Sequence, residues 1–283
     1  MITKIVPYLE LMRPINAAMT CIAVALGFWI GGAPLPPVFL LHLLGAACCA
    51  VGFGNTVNDI VDIEGDRINH PARPLPRNEL SIHQAKLFAL LLAAASCGLA
   101  LSISTPHLLA ASVPLLLLLL YARFLKPTLF AGNILVSFLV AYPLIYGGLG
   151  STILSHLLIP AALAFLLNFC REIVKDIQDR KGDRATGAKT TAQIGIGPLN
   201  MILTILGLTY LIALWLPYAL GHFGRIYLLF CATLVLPLHT AWLIIVFKAR
   251  KERRWGTVSL ILKLEMLSGL AALGVDRLFI PPA

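Results

Sequence analysis

The stretch Leu40-Leu-His-Leu-Leu-Gly-Ala-Ala-Cys-Cys-Ala50-Val-Gly-Phe-Gly-Asn55-Thr-Val-Asn58-Asp59-Ile-Val-Asp62-Ile-Glu-Gly-Asp66-Arg67 decides how the chain folds. It begins as a membrane-grade apolar run and ends as a row of carboxylates. The acidic end returns 117 positions later as Asp176-Ile-Gln-Asp179-Arg-Lys-Gly-Asp183-Arg184, again behind a long apolar run. Both copies read D-I-x-D-x-x-G-D-R. With Glu64 and Glu172, the two clusters hold eight of the 13 acidic residues in a chain that is 59% hydrophobic and 12% charged. Carboxylates three and four positions apart share a helix face, so each copy presents a row of hard oxygen ligands. Two such rows facing each other would hold divalent cations, and Mg²⁺ held this way also binds phosphate oxygens. The expectation is a diphosphate site at a membrane surface.

Working outward, a mean hydropathy of +0.87 and repeated apolar runs of about 20 residues predict an all-α, polytopic membrane protein. About nine spans are expected, near residues 15–33, 38–58, 84–104, 107–122, 128–149, 152–171, 198–220, 225–247 and 257–279. A β-barrel is excluded because the runs are continuously apolar and do not alternate. The first run follows Arg13 but has no convincing small-residue cleavage site and is followed by further spans, so it reads as a mature helix.

The copies follow the second and sixth spans, which predicts one membrane domain over residues 1–283. It is expected to contain two parallel four-helix repeats, about 10–122 and 128–247, and a final helix at 257–279. The two longest connections, roughly 59–83 and 172–197, would cap the site. On this layout 20 of the 22 Lys and Arg residues lie on one side, with Arg225 and Arg277 on the other. The positive-inside rule makes the crowded side cytoplasmic, along with the N-terminus and both acidic loops, in a cell membrane. The net charge of +9 is thus a topology signal, and no soluble basic face suggests nucleic-acid binding. The six cysteines lack C-x-x-C spacing and read as packing, and the seven histidines are scattered singly.

Carboxylates alone would repel a diphosphate, so cations must stand beside them. Arg67, Arg73 and Arg77 follow the first copy, while Arg171, Lys175, Arg184 and Lys189 surround the second. Guanidinium forks suit phosphate oxygens. The plainer reading of one such loop is a solvated, salt-bridged segment at headgroup level, and its repetition with the same spacing argues against that. Arg13 and Asn16, taken alone, are ordinary interface residues, and Lys126 an ordinary inside charge. Asn133 within an apolar run is costlier to explain.

These strings resemble the UbiA superfamily of intramembrane prenyltransferases. The motif N-D-x-x-D-x-x-x-D is met by Asn58, Asp59, Asp62 and Asp66, followed by Arg73-Pro74-Leu75-Pro76. D-x-x-D-x-x-x-D is met by Asp176, Asp179 and Asp183. Arg13-Pro14 with Asn16, and Tyr121 to Lys126 with Gly132-Asn133, extend the match along nearly the whole chain. Arg171-Glu172-Ile-Val-Lys175-Asp176 looks most like the branch that alkylates geranylgeranylglyceryl phosphate in ether-lipid synthesis. The aromatic-acceptor branch commonly has Asp where Glu172 stands. Asn78 stands where the family often has Gly, a difference expected to matter only for loop shape.

The resemblance implies transfer of a prenyl group from an isoprenoid diphosphate donor to a lipophilic acceptor. Two Mg²⁺ ions are implied, with Mn²⁺ as a substitute, held by Asn58, Asp59, Asp62, Asp66, Asp176, Asp179 and Asp183. Asn58, Asp62, Asp179 and Asp183 are the implied catalytic set. Arg13, Asn16, Arg67, Arg73, Arg77, Lys126, Asn133, Arg171, Glu172, Lys175 and Lys189 are the implied substrate-binding set. An aromatic-acceptor prenyltransferase and a divalent-cation transporter are the alternatives. A transporter would place acids near the bilayer centre rather than among bases. A CDP-alcohol phosphotransferase is disfavoured because its single D-G-x-x-A-R-type string is absent.

Overall fold

The computed structural model describes residues 5–32, 35–125, 128–187, 190–248 and 254–279, and every element assigned among them is helical. The helices are α1 (Val6–Met12), α2 (Pro14–Gly31), α3 (Val38–Val61), α4 (Ile63–Asn69), α5 (Ile82–Leu101), α6 (Thr105–Leu120) and α7 (Ala131–Gly147). They continue with α8 (Ser155–Thr186), α9 (Ile196–Ala213), α10 (Leu216–Ala219), α11 (Arg225–Phe230), α12 (Leu236–Lys248) and α13 (Trp255–Phe279). Among the described residues, seven helical segments are long and apolar enough to cross a membrane. The shorter apolar helices α6 and α7 fall on the expected fourth and fifth spans. Sixteen residues of α6 rise only about 24 Å, short of a hydrocarbon core of about 30 Å, but a π-helical turn at Tyr121–Leu125 carries the helix on. Side chains such as Leu41, Ile212 and Phe247 are about 70% exposed, which suits a lipid-facing surface and would be costly in water. The protein is a multi-pass membrane protein.

The largest departure from expectation is α8. Hydropathy ends the sixth span at 171, yet the helix runs to Thr186 and carries the whole second acidic copy. Much of the segment expected as a capping loop, 172–197, is therefore helix. Glu172 and Lys175 pair at i,i+3 along it, which sustains the helix where the apolar pattern stops. Likewise α3 runs past 58 to Val61, so Asn58 and Asp59 sit in its last turn.

The chain divides into two compact units: residues 1–25, 35–128 and 181–189, and residues 26–34, 129–180 and 190–283. In the first, α3 packs along α5 through Ala50, Phe53, Ala89 and Leu92, with Leu115 of α6 closing the cluster. Ser96 Oγ donates to the Ala46 carbonyl at 2.9 Å across this contact, possible because small side chains let the backbones approach. A second cluster, Leu11, Leu75, Leu80 and Ala85, pins the segment after α4. Leu75, 1% exposed, lies between Arg73 and Arg77 and fixes where both bases stand. Asn78 turns this segment at φ 58°, a left-handed conformation that Asn tolerates. Ser81 and Gln84 then form a reciprocal capping box that starts α5.

The second unit is built around the fully buried rings of Tyr210, Tyr227, Trp242 and Trp255. Glu265 of α13 receives Trp242 Nε1 at 2.8 Å and bonds His239 Nδ1 at 2.7 Å, tying α12 to α13. Asp276 accepts the backbone N–H groups of Gly224 and Tyr227 and so caps α11 from another helix.

Candidate active site

In the first unit, α3 and α4 carry the first acidic copy, with Asp62 at the joint between them. Asp59 is 2% exposed and Asp66 5%. Arg13 pairs with Asp59. Arg73 Nη1 lies 3.4 Å from Asp59 and 2.5 Å from Asp66, so one guanidinium bridges both carboxylates. Burial pushes the Asp66 carboxyl above its ordinary range, and Arg73 offsets part of that. Arg13 is held at φ 51° between α1 and Pro14, an uncommon conformation for a non-glycine residue and one that suits a functional position.

Arg13, Asp59 and Arg73 line a pocket of about 420 Å³ with Glu10, Asn69 and His70. Arg77 pairs instead with Glu10 at 2.7 Å and Glu79 at 2.8 Å. Arg67 makes an exposed pair with Glu64 at 3.0 Å. Of the three bases after the first copy, only Arg73 is therefore among the pocket's lining residues. Asn16 lies in the first turn of α2 and is half-buried. Lys126 and Lys189 lie outside the described residues.

The glycines of the two copies meet. A Cβ on Gly182 would lie 2.9 Å from the Gly65 carbonyl oxygen and collide with the Asn69 side chain. Asn69 Oδ1 in turn accepts the Gly182 N–H at 3.1 Å. The end of the second copy is thus seated against the first, which brings Asp183 into the same unit as Asp59, Asp62 and Asp66.

In the second unit Asp176 Oδ2 accepts from Asn133 Nδ2 at 2.9 Å, Thr191 N at 3.2 Å and Thr191 Oγ1 at 2.5 Å. Ser137 Oγ donates to the Asn133 carbonyl at 2.6 Å and receives Asn168 Nδ2 at 3.4 Å, which explains the polar residues inside α7 and α8. Glu172 is buried and holds Lys175 at 2.9 Å and Arg171 at 3.3 Å. Two cations are thus kept on the stretch of helix that carries Asp176 and Asp179.

Among the described residues no three His, Cys, Asp or Glu side chains stand close enough to hold a metal ion by themselves. Mg²⁺ does not need such a cage, because it keeps several waters and takes one or two carboxylates plus phosphate oxygens. The donor set fits that demand. Asn58 Oδ1 is buried with no hydrogen-bond donor among the described residues, an oxygen that a cation would satisfy.

Sequence reasoning missed Glu10, His70 and Thr191 as members of these arrangements. Thr191 was visible only as half of a Thr-Thr doublet. Glu10 is one of few acids outside the copies, but nothing in the sequence couples it to Arg77, 67 positions away.

The helical fold, the two acidic copies and the bases around them define a membrane prenyltransferase. The sequence model of the UbiA prenyltransferase family matches residues 18–264, and the chain belongs to that family. The digeranylgeranylglyceryl phosphate synthase of Methanopyrus kandleri is 36% identical over 268 residues, covering 94% of this chain and 97% of that one. The enzyme of the same name from Korarchaeum cryptofilum is 31% identical over 275 residues, covering 96% and 98%. A solved structure of digeranylgeranylglyceryl phosphate synthase superposes with a TM-score of 0.78 at 29% identity, covering 98% of this chain and 100% of that one. A UbiA homologue from Archaeoglobus fulgidus, solved with GPP and Mg²⁺ bound, superposes with a TM-score of 0.64 at 17% identity, covering 95% and 99%. At that identity the likeness is one of fold.

Proposed function

We propose that this prenyltransferase moves a geranylgeranyl group from its diphosphate to geranylgeranylglyceryl phosphate, in the presence of Mg²⁺. The observation that carries the acceptor is the 36% identity to a digeranylgeranylglyceryl phosphate synthase along almost the whole of both chains. The site's chemistry agrees with it. Two diphosphate-neutralising ions leave bases over, and an acceptor with its own phosphate has use for them.

Asn58, Asp62, Asp179 and Asp183 are the residues we assign to Mg²⁺, with Asp59, Asp66 and Asp176 beside them. When bound, the metal would neutralise the diphosphate as the allylic C–O bond breaks. Arg13 and Arg73 are positioned to take up diphosphate oxygens. Arg171 and Lys175, held by Glu172, add positive charge on the helix that carries Asp176. The acceptor hydroxyl oxygen forms the new C–O bond and gives up its proton. The apolar helices exclude the water that would otherwise compete for the allylic carbon. Lys189, Lys126, Asn16, Arg67 and Arg77 remain assigned to substrate binding on the motif match alone. The nine-span layout with two parallel repeats, and a cytoplasmic site, belong to the same proposal.

Purified protein with Mg²⁺ and labelled geranylgeranyl diphosphate should release diphosphate and form a new lipid with geranylgeranylglyceryl phosphate. Turnover with 4-hydroxybenzoate should be much weaker. Efficient prenylation of the aromatic acid, with the glycerol ether phosphate inert, would replace the acceptor and leave the prenyl transfer intact.

A further inference from the structure

Prenyl transfer to a hydroxyl releases a proton, and the pocket beside the first acidic copy holds a carboxylate that the metal reading leaves unused. Glu10 and Asp59 are the acids among the pocket's lining residues. Asp59 is 2% exposed and already accepts from Arg13 and Arg73. Glu10 is 41% exposed, so it is the one that a substrate can reach. Arg77 Nη2 donates to Glu10 Oε2 at 2.7 Å, and among the described residues Oε1 has no donor. We propose that Glu10 is the base of the reaction, receiving the acceptor hydroxyl proton as the new C–O bond forms. This rests on the hydroxyl-bearing acceptor proposed above.

The chain around Glu10 is firmly seated. Leu11 is fully buried in the cluster with Leu75, Leu80 and Ala85, and Asn55 Nδ2 donates to the Met12 carbonyl at 3.0 Å. The Glu10 carbonyl accepts the Arg13 N–H at 3.0 Å, so Glu10 and the arginine that pairs with Asp59 share the turn that ends α1. The balance of charge points the same way. Arg77 Nη2 also donates to Glu79 at 2.8 Å, so one guanidinium serves two carboxylates and a negative charge is left over. Surplus negative charge beside a diphosphate pocket works against donor binding. A proton taken up during turnover gives that charge a use.

The step balances. The acceptor oxygen bonds the allylic carbon while the bond from that carbon to the diphosphate oxygen breaks, and diphosphate leaves with the bonding electrons. The attacking hydroxyl becomes far more acidic as it bonds carbon, so its proton passes to a carboxylate without need of a strong base. Because Glu10 is exposed, it returns the proton to water once the product has left.

Glu10→Gln keeps the size and polarity of the side chain but cannot take the proton. In full-length protein with Mg²⁺, geranylgeranyl diphosphate and geranylgeranylglyceryl phosphate, it should lower kcat at least about 100-fold while KM for the donor stays within about threefold. Glu10→Ala should lose kcat likewise, and added formate should raise it again at least about tenfold. Nitrate, a planar anion that can pair with Arg77 but takes no proton, should restore nothing. The side chain is exposed, so both variants should melt within about 3 °C of the unaltered protein. Where melting falls further, the comparison of formate with nitrate decides. The inference is overturned by near-normal kcat in Glu10→Gln, by equal rescue with nitrate and formate, or by lost kcat that formate does not restore. Each of these leaves Glu10 as no more than a partner of Arg77. An unaltered protein that forms no lipid from the glycerol ether phosphate overturns the acceptor reading instead, and the inference falls with it.

Discussion

Ion pairs of very different weight surround the first acidic copy. Arg67 and Glu64 are 52% and 67% exposed, so their pair is screened and pays side-chain entropy. Arg73 is 27% exposed, but its partners Asp59 and Asp66 are nearly buried, and its removal would strand Asp66 while Asp59 kept only Arg13. We predict that Arg67→Ala changes stability by less than about 0.5 kcal/mol, while Arg73→Ala costs about 2–3 kcal/mol, discounted for the exposure of the guanidinium. Thermal unfolding in detergent compares the two. Equal melting temperatures for these variants would mean that Asp59 and Asp66 do not depend on Arg73. Legibility at this scale was partial. The residue types of the site could be read because hard oxygen donors and guanidinium groups announce phosphate chemistry. Their partners could not, because Arg13 meets Asp59 across 46 positions and pairing at that distance is set by packing.

At the scale of elements, the repeated glycine has a specific use. Gly in a helix interior costs about 1 kcal/mol relative to Ala, so Gly182→Ala should stabilise α8 if nothing else touched it. Its Cβ would, however, press on the Gly65 carbonyl oxygen and the Asn69 side chain. The backbone oxygen cannot swing away, and overpacking of this kind costs about 1–3 kcal/mol, enough to outweigh the helical gain. Gly182→Ala should therefore lower the melting temperature and reduce turnover at least about tenfold by displacing Asp183. Gly256→Ala, whose new methyl would meet, among the described residues, only Gln178 Nε2 at 3.5 Å, is the control and should do neither. Full activity in Gly182→Ala would show that the seat between the two copies is irrelevant to catalysis. The helix ends themselves were only partly legible. Hydropathy stops at 171 where the charged string begins, but backbone hydrogen bonding does not, and α8 continues to Thr186, with Glu172 and Lys175 paired at i,i+3 just past the apolar run.

For the molecule as a whole, the apolar runs made the helical membrane fold plain from composition, because only helices satisfy every backbone group along such runs in lipid. The number of crossings is harder to read, since it turns on α6 and α7, which are short of about 20 residues. Charge supplies an independent handle. With nine crossings, 20 of 22 bases fall on one side, and the positive-inside rule then places the N-terminus and both acidic copies in the cytoplasm and the C-terminus outside. A cysteine introduced at Asn78, in the segment after α4, should be shielded from a membrane-impermeant thiol reagent in intact cells and labelled once the membrane is opened. The six native cysteines would first be replaced by serine or alanine. A reporter fused to the C-terminus should be active only in its extracytoplasmic form. A cytoplasmic C-terminus with the same result at Asn78 would mean an even number of crossings. The missing crossing would then lie after α8. Losing α6 or α7 would leave an odd number of crossings between the acidic copies and part them across the membrane, whereas Gly182 of the second copy is seated against Gly65 and Asn69 beside the first.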